Sequence, residues 1–165
     1  LARAVAAVLP RYPLLNASLQ GQEILVWEDV HLGIATSLDD QLIVPVIPKA
    51  NSMHLEELVT ALNDRVERAR ARRLTPAEMS GSTFTISNLG MFGVDRFTAI
   101  INPPETAILA AGKIGYVPAA VGMELAVRLG MNLTLSIDHR VVDGAYGARF
   151  LAELKTNLET PYLML

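Results

Sequence analysis

Polar and apolar residues alternate within the stretch 125–137, which is the clearest pattern in the chain. Apolar residues at every second position would share one face, so the pattern predicts a strand that is covered on that face. Another strand is predicted at 83–87. The unbroken apolar run 106–111 predicts a strand buried on both faces. The middle of the fold is therefore expected to be a sheet.

Shorter apolar runs predict further strands. We expect 24–27 and 31–37 to form a hairpin, and 42–47 to form a strand that is interrupted by a proline. Residues 39–41 are predicted to be the turn between the last two runs, and 117–121 a linker that leads back to the alternating stretch.

Helical spacing of apolar residues predicts helices in the remaining segments. The first occupies 1–9 and the longest occupies 52–73. The apolar stripe of the longest helix is expected to comprise Leu55, Leu58, Val59, Leu62 and Val66. The arginines at its end are interpreted as a solvated helix end rather than a phosphate site. Residues 75–78 read as a capping box that starts a short helix, and a last helix follows Gly144.

Composition narrows the function classes. With 165 residues, 51% of them hydrophobic, the chain is long enough for one domain with a substantial core. A net charge of −3 gives no basic surface for nucleic acid, and the lack of cysteine excludes disulfides and a thiol nucleophile. No apolar run is long enough to span a bilayer, so we expect a soluble chain. His31 and His54 have no partners at ligand spacing, and we expect no metal site.

A polar cluster lies where the alternating strand meets the last helix. Four ionisable groups fall within six residues, namely Asp138, His139, Arg140 and Asp143. An imidazole can accept a proton at neutral pH, so His139 is a candidate base, although an ion-pair network that ends the strand is the alternative. Gathering charges at the end of an apolar strand is costly, which favours a functional role. Gly144 and Gly147 would make the start of the helix tight and allow close approach to a ligand.

Two sequence blocks carry a family resemblance. The run Asp-His-Arg-Val-Val-Asp-Gly at 138–144 and the run Gly-Ser-Thr-Phe-Thr-Ile-Ser-Asn-Leu-Gly-Met-Phe-Gly at 81–93 resemble the signatures of dihydrolipoamide acyltransferases. These proteins are the core subunits of 2-oxo acid dehydrogenase complexes and are related to chloramphenicol acetyltransferase. Residues 97–105 continue as the family reads, and the blocks stand in the expected order.

The resemblance implies an α/β domain of the chloramphenicol acetyltransferase type, with two layers and a mixed sheet that carries helices on one face. Residues 1–165 would form the acyltransferase catalytic domain without its N-terminal portion, which holds part of the coenzyme A site. The implied reaction moves an acyl group between a lipoyl arm and coenzyme A. Both are substrates, and no metal is implied.

The resemblance also assigns roles to residues. His139 would be the base that deprotonates the attacking thiol, and Ser87 would donate a hydrogen bond to the oxyanion of the tetrahedral intermediate. Asn88, Gly112 and Ile114, together with Ser87, would line the coenzyme A channel.

The remaining residues of the 138–144 run would support the base. Asp143 is expected to hold the loop through a salt bridge and to orient the histidine. Asp138, Arg140 and Gly144 are expected to give structural support. Met91 and Phe92 would border the acyl pocket or contribute to the core.

A homotrimer with the active site between subunits is implied, so that His139 of one chain would meet Ser87 of the next. Trimers would assemble into a core of 24 or 60 subunits, with the apolar tail 161–165 packed into a neighbouring trimer. The partners would be the dehydrogenase and dihydrolipoamide dehydrogenase components, without nucleic acid or membrane. The compartment would be the cytoplasm of a bacterium or the mitochondrial matrix.

Two other functions remain open at this point. A paralogous scaffold subunit would share the fold without transferase activity, but such subunits typically lack the catalytic histidine. An acetyltransferase that acts on a free small molecule would share the histidine motif, but the Gly-Met-Phe-Gly block and the apolar tail favour the multienzyme core. The acyl group is not determined by these residues.

Overall fold

A computed structural model describes residues 1–38 and 41–164 of the chain. The helices are α1 (Ala2–Val8), α2 (Leu55–Arg70) and α3 (Gly144–Glu159). The strands are β1 (Ala17–Gln20), β2 (Glu23–Val26), β3 (Leu32–Ser37), β4 (Leu42–Ile43), β5 (Val46–Ile47), β6 (Phe84–Asn88), β7 (Ala107–Ala111), β8 (Gly115–Val121), β9 (Glu124–Gly130) and β10 (Leu133–Ile137). Short 3-10 helices occupy Leu9–Arg11, Pro13–Leu15, Ala50–Ser52, Pro76–Met79, Gly90–Phe92 and Pro161–Met164. None of the helices in the described ranges has the length and apolar character needed to cross a bilayer.

A mixed sheet forms the centre of the molecule. Its strand order is β10, β7, β6, β3 and β4, and β5 also pairs with β3. The central strand β6 is parallel to both β3 and β7, whereas β10 is antiparallel to β7. The predicted strands at 83–87 and 106–111, and the final part of the alternating stretch, are confirmed as β6, β7 and β10.

The helices pack against one face of this sheet. Every second side chain of the central strands belongs to a single buried core that all three helices share. Its members include Val5, Leu32, Leu58, Phe84, Ile86, Leu109, Phe150 and Leu154. The rings of Phe84 in β6 and Phe150 in α3 lie 6.0 Å apart between centroids. Each such fully buried side chain stabilises the fold by roughly 1.5–3 kcal/mol relative to an exposed one.

The opposite face of the sheet carries smaller and more polar side chains. Thr85, Ile108 and Ser136 lie in one row across β6, β7 and β10. The segment 94–105 covers this row, because the Ser136 hydroxyl donates to the carbonyl of Ala99 at 2.6 Å. The two faces therefore differ in what covers them, with helices on one and an irregular segment on the other.

The predicted hairpin between 24–27 and 31–37 is wrong. Strand β2 pairs with β1 through a tight turn at Gly21, whose φ of +63° favours glycine. Strand β3 pairs with β6 instead. The Asn16 side chain donates to the carbonyls of Trp27 and Asp29 and so holds the crossing between the two sheets.

The predicted linker at 117–121 is also wrong, since these residues belong to β8. This strand pairs with β9 along its whole length around a turn at Gly122 and Met123. The alternating stretch 125–137 is accordingly divided between β9 and β10. The strand broken by Pro45 is confirmed as β4 and β5, and Asp39 and Asp40 of the predicted turn lie outside the described residues.

Helix α2 buries a narrower stripe than predicted. Leu58 and Ala69 are buried, whereas Leu55 and Val59 are 47% and 48% exposed. The histidine at 54 caps this helix in a capping box with Glu57. His54 thus has a structural role, and so does His31, whose Nδ1 accepts the Lys49 N–H at 3.1 Å.

The basic end of α2 is held by one carboxylate. Both terminal nitrogens of Arg68 donate to Glu78, at 2.7 and 2.8 Å, and Arg65 also pairs with it. The N–H and hydroxyl of Thr75 donate to the same carboxylate at 2.9 Å, which confirms the predicted capping box at 75–78. Arg68, followed by Thr75, lowers the pKa of Glu78 to about 2.

We expect Glu78→Gln to lower the free energy of unfolding at pH 7. Because the folded pKa is depressed from 4.5 to about 2, this contribution is complete above 4.5 and is lost as the pH falls towards 2. Urea unfolding followed by fluorescence of Trp27, at several pH values, measures the difference between parent and variant. Glu67→Gln, on an exposed position of α2, is the control. A difference that stays constant from pH 7 to 2.5 would contradict this account.

Candidate active site

His139 lies in a compact turn between β10 and α3. The Asp138 N–H donates to the carbonyl of Thr106 at 2.8 Å, which ties the start of the turn to β7. The N–H groups of Val141 and Val142 both donate to the carbonyl of Asp138 at 3.0 Å. The backbone on both sides of His139 is therefore fixed.

The ionisable neighbours of His139 each have a definite partner. Arg140 donates from Nε to Asp138 Oδ1 at 2.9 Å and from its backbone N–H to the same oxygen at 3.0 Å. The Arg140 guanidinium lowers the pKa of Asp138, so that carboxylate stays charged. The ion pair expected at Asp143 is thus found at Asp138. Asp143 instead caps α3, accepting the Tyr146 N–H at 2.7 Å.

The imidazole of His139 is exposed. Among residues 1–38 and 41–164, no hydrogen bond or ion pair is made to its ring. A side chain on a fixed backbone with free ring nitrogens can exchange a proton with a molecule that reaches it from outside this chain.

The two glycines of α3 have different surroundings. A Cβ on Gly144 would have nothing within 4 Å, whereas one on Gly147 would lie 3.2 Å from Leu135. Gly147 therefore allows α3 to approach β10 closely, while the predicted approach of a ligand to these glycines stays a prediction.

Ser87 and Asn88 lie at the end of β6. The hydroxyl of Ser87 is half-buried, and Asn88 Oδ1 accepts the Gly90 N–H at 2.8 Å, which tightens the following turn. Gly112 follows β7 at the same end of the sheet. A Cβ on Gly112 would lie 2.0 Å from the carbonyl oxygen of Asp95, so only glycine fits here. Ile114 is 70% exposed beyond it.

A groove of about 380 Å³ opens beside Ser87. Its walls come from β3, α2, the end of β6 and the turn that contains Met91 and Phe92. The lining is mostly apolar, and Arg70 places a cation along it. Met91 and Phe92 are 69% and 66% exposed, so they border this groove and are not part of the core.

The predicted base and the predicted oxyanion donor do not come together within one chain. Ser87 lies opposite Ala110 of β7, which lies opposite Thr134 near the start of β10. His139 follows the far end of β10. With a rise of about 3.3 Å per residue, the two side chains are separated by at least about 10 Å along the strands. His139 and Ser87 thus stand at opposite ends of the sheet.

Glu105 is a buried polar residue to which sequence reasoning assigned no role. Its side chain is 3% exposed, next to the start of β7 on the His139 side of the sheet. The one signal was its position, because Glu105 directly precedes the strand predicted at 106–111, which is buried on both faces. In the described part of the chain, no cluster of His, Cys, Asp and Glu is arranged to hold a metal ion.

Comparison with known proteins adds to this geometry. Residues 1–165 match the family described as 2-oxoacid dehydrogenases acyltransferase (catalytic domain). The chain is 43% identical over 159 residues to the dihydrolipoyllysine-residue acetyltransferase component of the acetoin cleaving system of Bacillus subtilis, covering 96% of this chain and 40% of the relative. It is 42% identical over 163 residues to the succinyltransferase component of the 2-oxoglutarate dehydrogenase complex of Azotobacter vinelandii, covering 99% and 41%. The chain spans about two fifths of the length of these relatives.

Solved structures agree with the fold. The cubic core of a pyruvate dehydrogenase multienzyme complex superposes with a TM-score of 0.94 at 38% identity, covering 99% of this chain and 68% of that one. A chloramphenicol acetyltransferase superposes with a TM-score of 0.55 at 13% identity, covering 93% and 73%, which shows a shared fold. The predicted fold class is confirmed.

We expect Gly112→Ala to destabilise the chain by about 1–3 kcal/mol, because the added methyl group collides with backbone rather than with a movable side chain. Gly144→Ala is the matched control, since the same methyl group meets open space there. Urea unfolding of the two variants measures the difference. Equal effects of both substitutions would refute the steric argument.

Proposed function

Because the chain belongs to the 2-oxoacid dehydrogenase acyltransferase (catalytic domain) family, we propose that it transfers an acyl group between the thioester of a lipoyl arm and the thiol of coenzyme A. The observation that carries this proposal is the pair of half-sites at opposite ends of the sheet. An exposed imidazole on a fixed turn stands at one end, and a hydroxyl beside an apolar groove at the other.

In the proposed reaction, His139 removes the proton from the attacking thiol. A base is needed because a free thiol is only a few per cent thiolate at pH 7. The thiolate attacks the carbonyl carbon of the thioester, and the tetrahedral intermediate collapses by breaking the other carbon–sulfur bond. The protonated His139 then returns the proton to the departing thiolate. Charge and protons balance, and the imidazole is regenerated.

Ser87 would donate its hydroxyl proton in a hydrogen bond to the oxyanion of that intermediate. Asn88, Gly112 and Ile114 are at the same end of the sheet, which supports their proposed place along the coenzyme A channel. Asp138, Arg140, Asp143 and Gly144 would keep the turn that carries His139 in place. This role agrees with their ion pair and helix cap.

We propose that two chains complete each site within a homotrimer. The β8–β9 hairpin supports this assembly, because it exposes apolar side chains along both strands. Tyr116, Leu125, Val127 and Leu129 are 64–85% exposed. A two-stranded hairpin of this kind is marginally stable alone, so a second chain is the expected cover.

Larger assembly and partners follow from the same family. We propose that trimers build a 24- or 60-subunit core that works with the dehydrogenase and dihydrolipoamide dehydrogenase components. The cubic core among the structural neighbours supports the smaller number. The compartment would be the bacterial cytoplasm or the mitochondrial matrix, according to the source.

We expect His139→Ala in the full-length protein to lower kcat by roughly 10²- to 10⁴-fold, through loss of the base. Ser87→Ala should lower it by about 10²- to 10³-fold, through loss of an oxyanion donor. The assay is transfer from acetyl, isobutyryl and succinyl coenzyme A to dihydrolipoamide, and the preferred donor identifies the acyl group. Ser80→Ala, at an exposed serine, is the matched control. An assembled parent protein with no transfer would instead indicate a scaffold.

A mixing experiment tests the shared site. Equal amounts of the Ser87→Ala and His139→Ala chains, refolded together, should recover about a quarter of the parent activity, since one interface in four receives both intact residues. Each variant refolded alone is the control. If one chain contained the whole site, the mixture would be no more active than the variants.

A further inference from the structure

Glu105 is surrounded by side-chain donors that, within the described ranges, donate to no other acceptor. Its Oε1 accepts from the Ser82 hydroxyl at 2.5 Å, the Thr85 hydroxyl at 2.8 Å and the Asn102 amide at 3.1 Å. Burying a carboxyl group is costly unless such partners are provided. Three donors from two separate segments therefore fix this side chain to the polar face of the sheet.

The other oxygen of the carboxyl group has no partner among the residues that the structure describes. Burial raises the pKa of Glu105, against the opposing effect of Ser82 and Thr85. None of the three donors carries a charge. The network is therefore built to hold an acceptor oxygen in place, and it contains no counter-ion for a carboxylate.

The backbone next to Glu105 is held just as firmly. The Thr106 N–H donates to the carbonyl of Ala17 at 3.2 Å, and its hydroxyl donates to the carbonyl of Leu14 at 2.7 Å. The carbonyl of Thr106 in turn accepts the Asp138 N–H at 2.8 Å. One peptide thus connects the buried carboxyl group to the turn that carries His139.

We propose that Glu105 is a positioning residue for His139, acting through Thr106 and Asp138. The inference rests on the proposed function, because it assumes that His139 is the base. Ser82, Thr85 and Asn102 hold Glu105 in place. Together with the bonds from Thr106 to Ala17 and Leu14, Glu105 fixes the Thr106 carbonyl, and this carbonyl fixes where Asp138 begins the turn. A base displaced by about 1 Å loses up to 100-fold in rate.

The test compares Glu105→Ala with Glu105→Gln in the full-length assembled protein. The alanine variant leaves three donors without an acceptor, and we expect kcat to fall by about 10- to 100-fold with KM for both substrates within about twofold. The glutamine variant keeps an acceptor oxygen at the same place. It should restore kcat to within about threefold of the parent.

A merely structural role would lower the melting temperature or the yield of assembled protein. It would not produce a selective loss of kcat in Glu105→Ala that Glu105→Gln restores. The proposal is overturned if Glu105→Ala leaves kcat within twofold, if the loss falls on KM, or if glutamine rescues no better than alanine. Glu67→Ala, at an exposed position, controls for removal of an acidic side chain. Failure of the proposed function is distinguishable, because the assembled parent would then show no transfer, and failure of the base assignment would show as full activity in His139→Ala.

Ser82→Ala keeps the test decisive if Glu105→Ala does not assemble. It removes one of the three donors and leaves Glu105 in place. We expect kcat to fall about three- to tenfold with unchanged KM, since one net hydrogen bond is worth about 1 kcal/mol. An unchanged kcat in this variant would count against the positioning role.

Discussion

The antiparallel pairing of β10 with β7 is the constraint on which the rest of the site depends. The central strands β3, β6 and β7 all run in one direction, so their carboxyl ends meet at one edge of the sheet, where Ser87 lies. Because β10 runs the other way, the turn after it emerges at the opposite edge. A parallel β10 would have placed His139 near Ser87 within one chain. The observed direction separates them within one chain, and this separation is the reason that we propose a site shared between two chains.

The two faces of the sheet are held to their neighbours by different interactions. The helix face is closed by apolar side chains, and its energy comes from burial. The opposite face carries hydroxyls, and these bind the irregular segment 94–105, which includes the buried Glu105, by directed hydrogen bonds. Directed bonds fix position more narrowly than apolar contact does. The turn with His139 is joined to the end of the sheet by the hydrogen bond from the Asp138 N–H to the Thr106 carbonyl.

Local pattern was enough to predict the elements that the core requires. The side chains of α3, β6 and β7 that must be buried determine the spacing of apolar residues in these elements. Each segment therefore carries in its own sequence the pattern that predicts it. Pairing between segments was harder. Strand β2 pairs with β1 because a glycine turn connects them. Strand β3 pairs with β6, which lies about fifty residues later in the chain. The β8–β9 hairpin was missed because its apolar side chains face outwards, which removes the burial signal.

The sequence supplied candidate site residues but not their geometry. The motif at 138–144 pointed to His139, yet which aspartate forms the ion pair depends on the turn. The carboxylate of Asp138 accepts from Arg140 in the same loop, and the carboxylate of Asp143 accepts the Tyr146 N–H in the first turn of α3. Glu105 had no motif role because its function is expressed only through a hydrogen bond between two backbones distant in sequence. Hydrogen bonds of this kind cannot be predicted from the spacing of apolar residues, and they fix the position of a side chain such as that of His139.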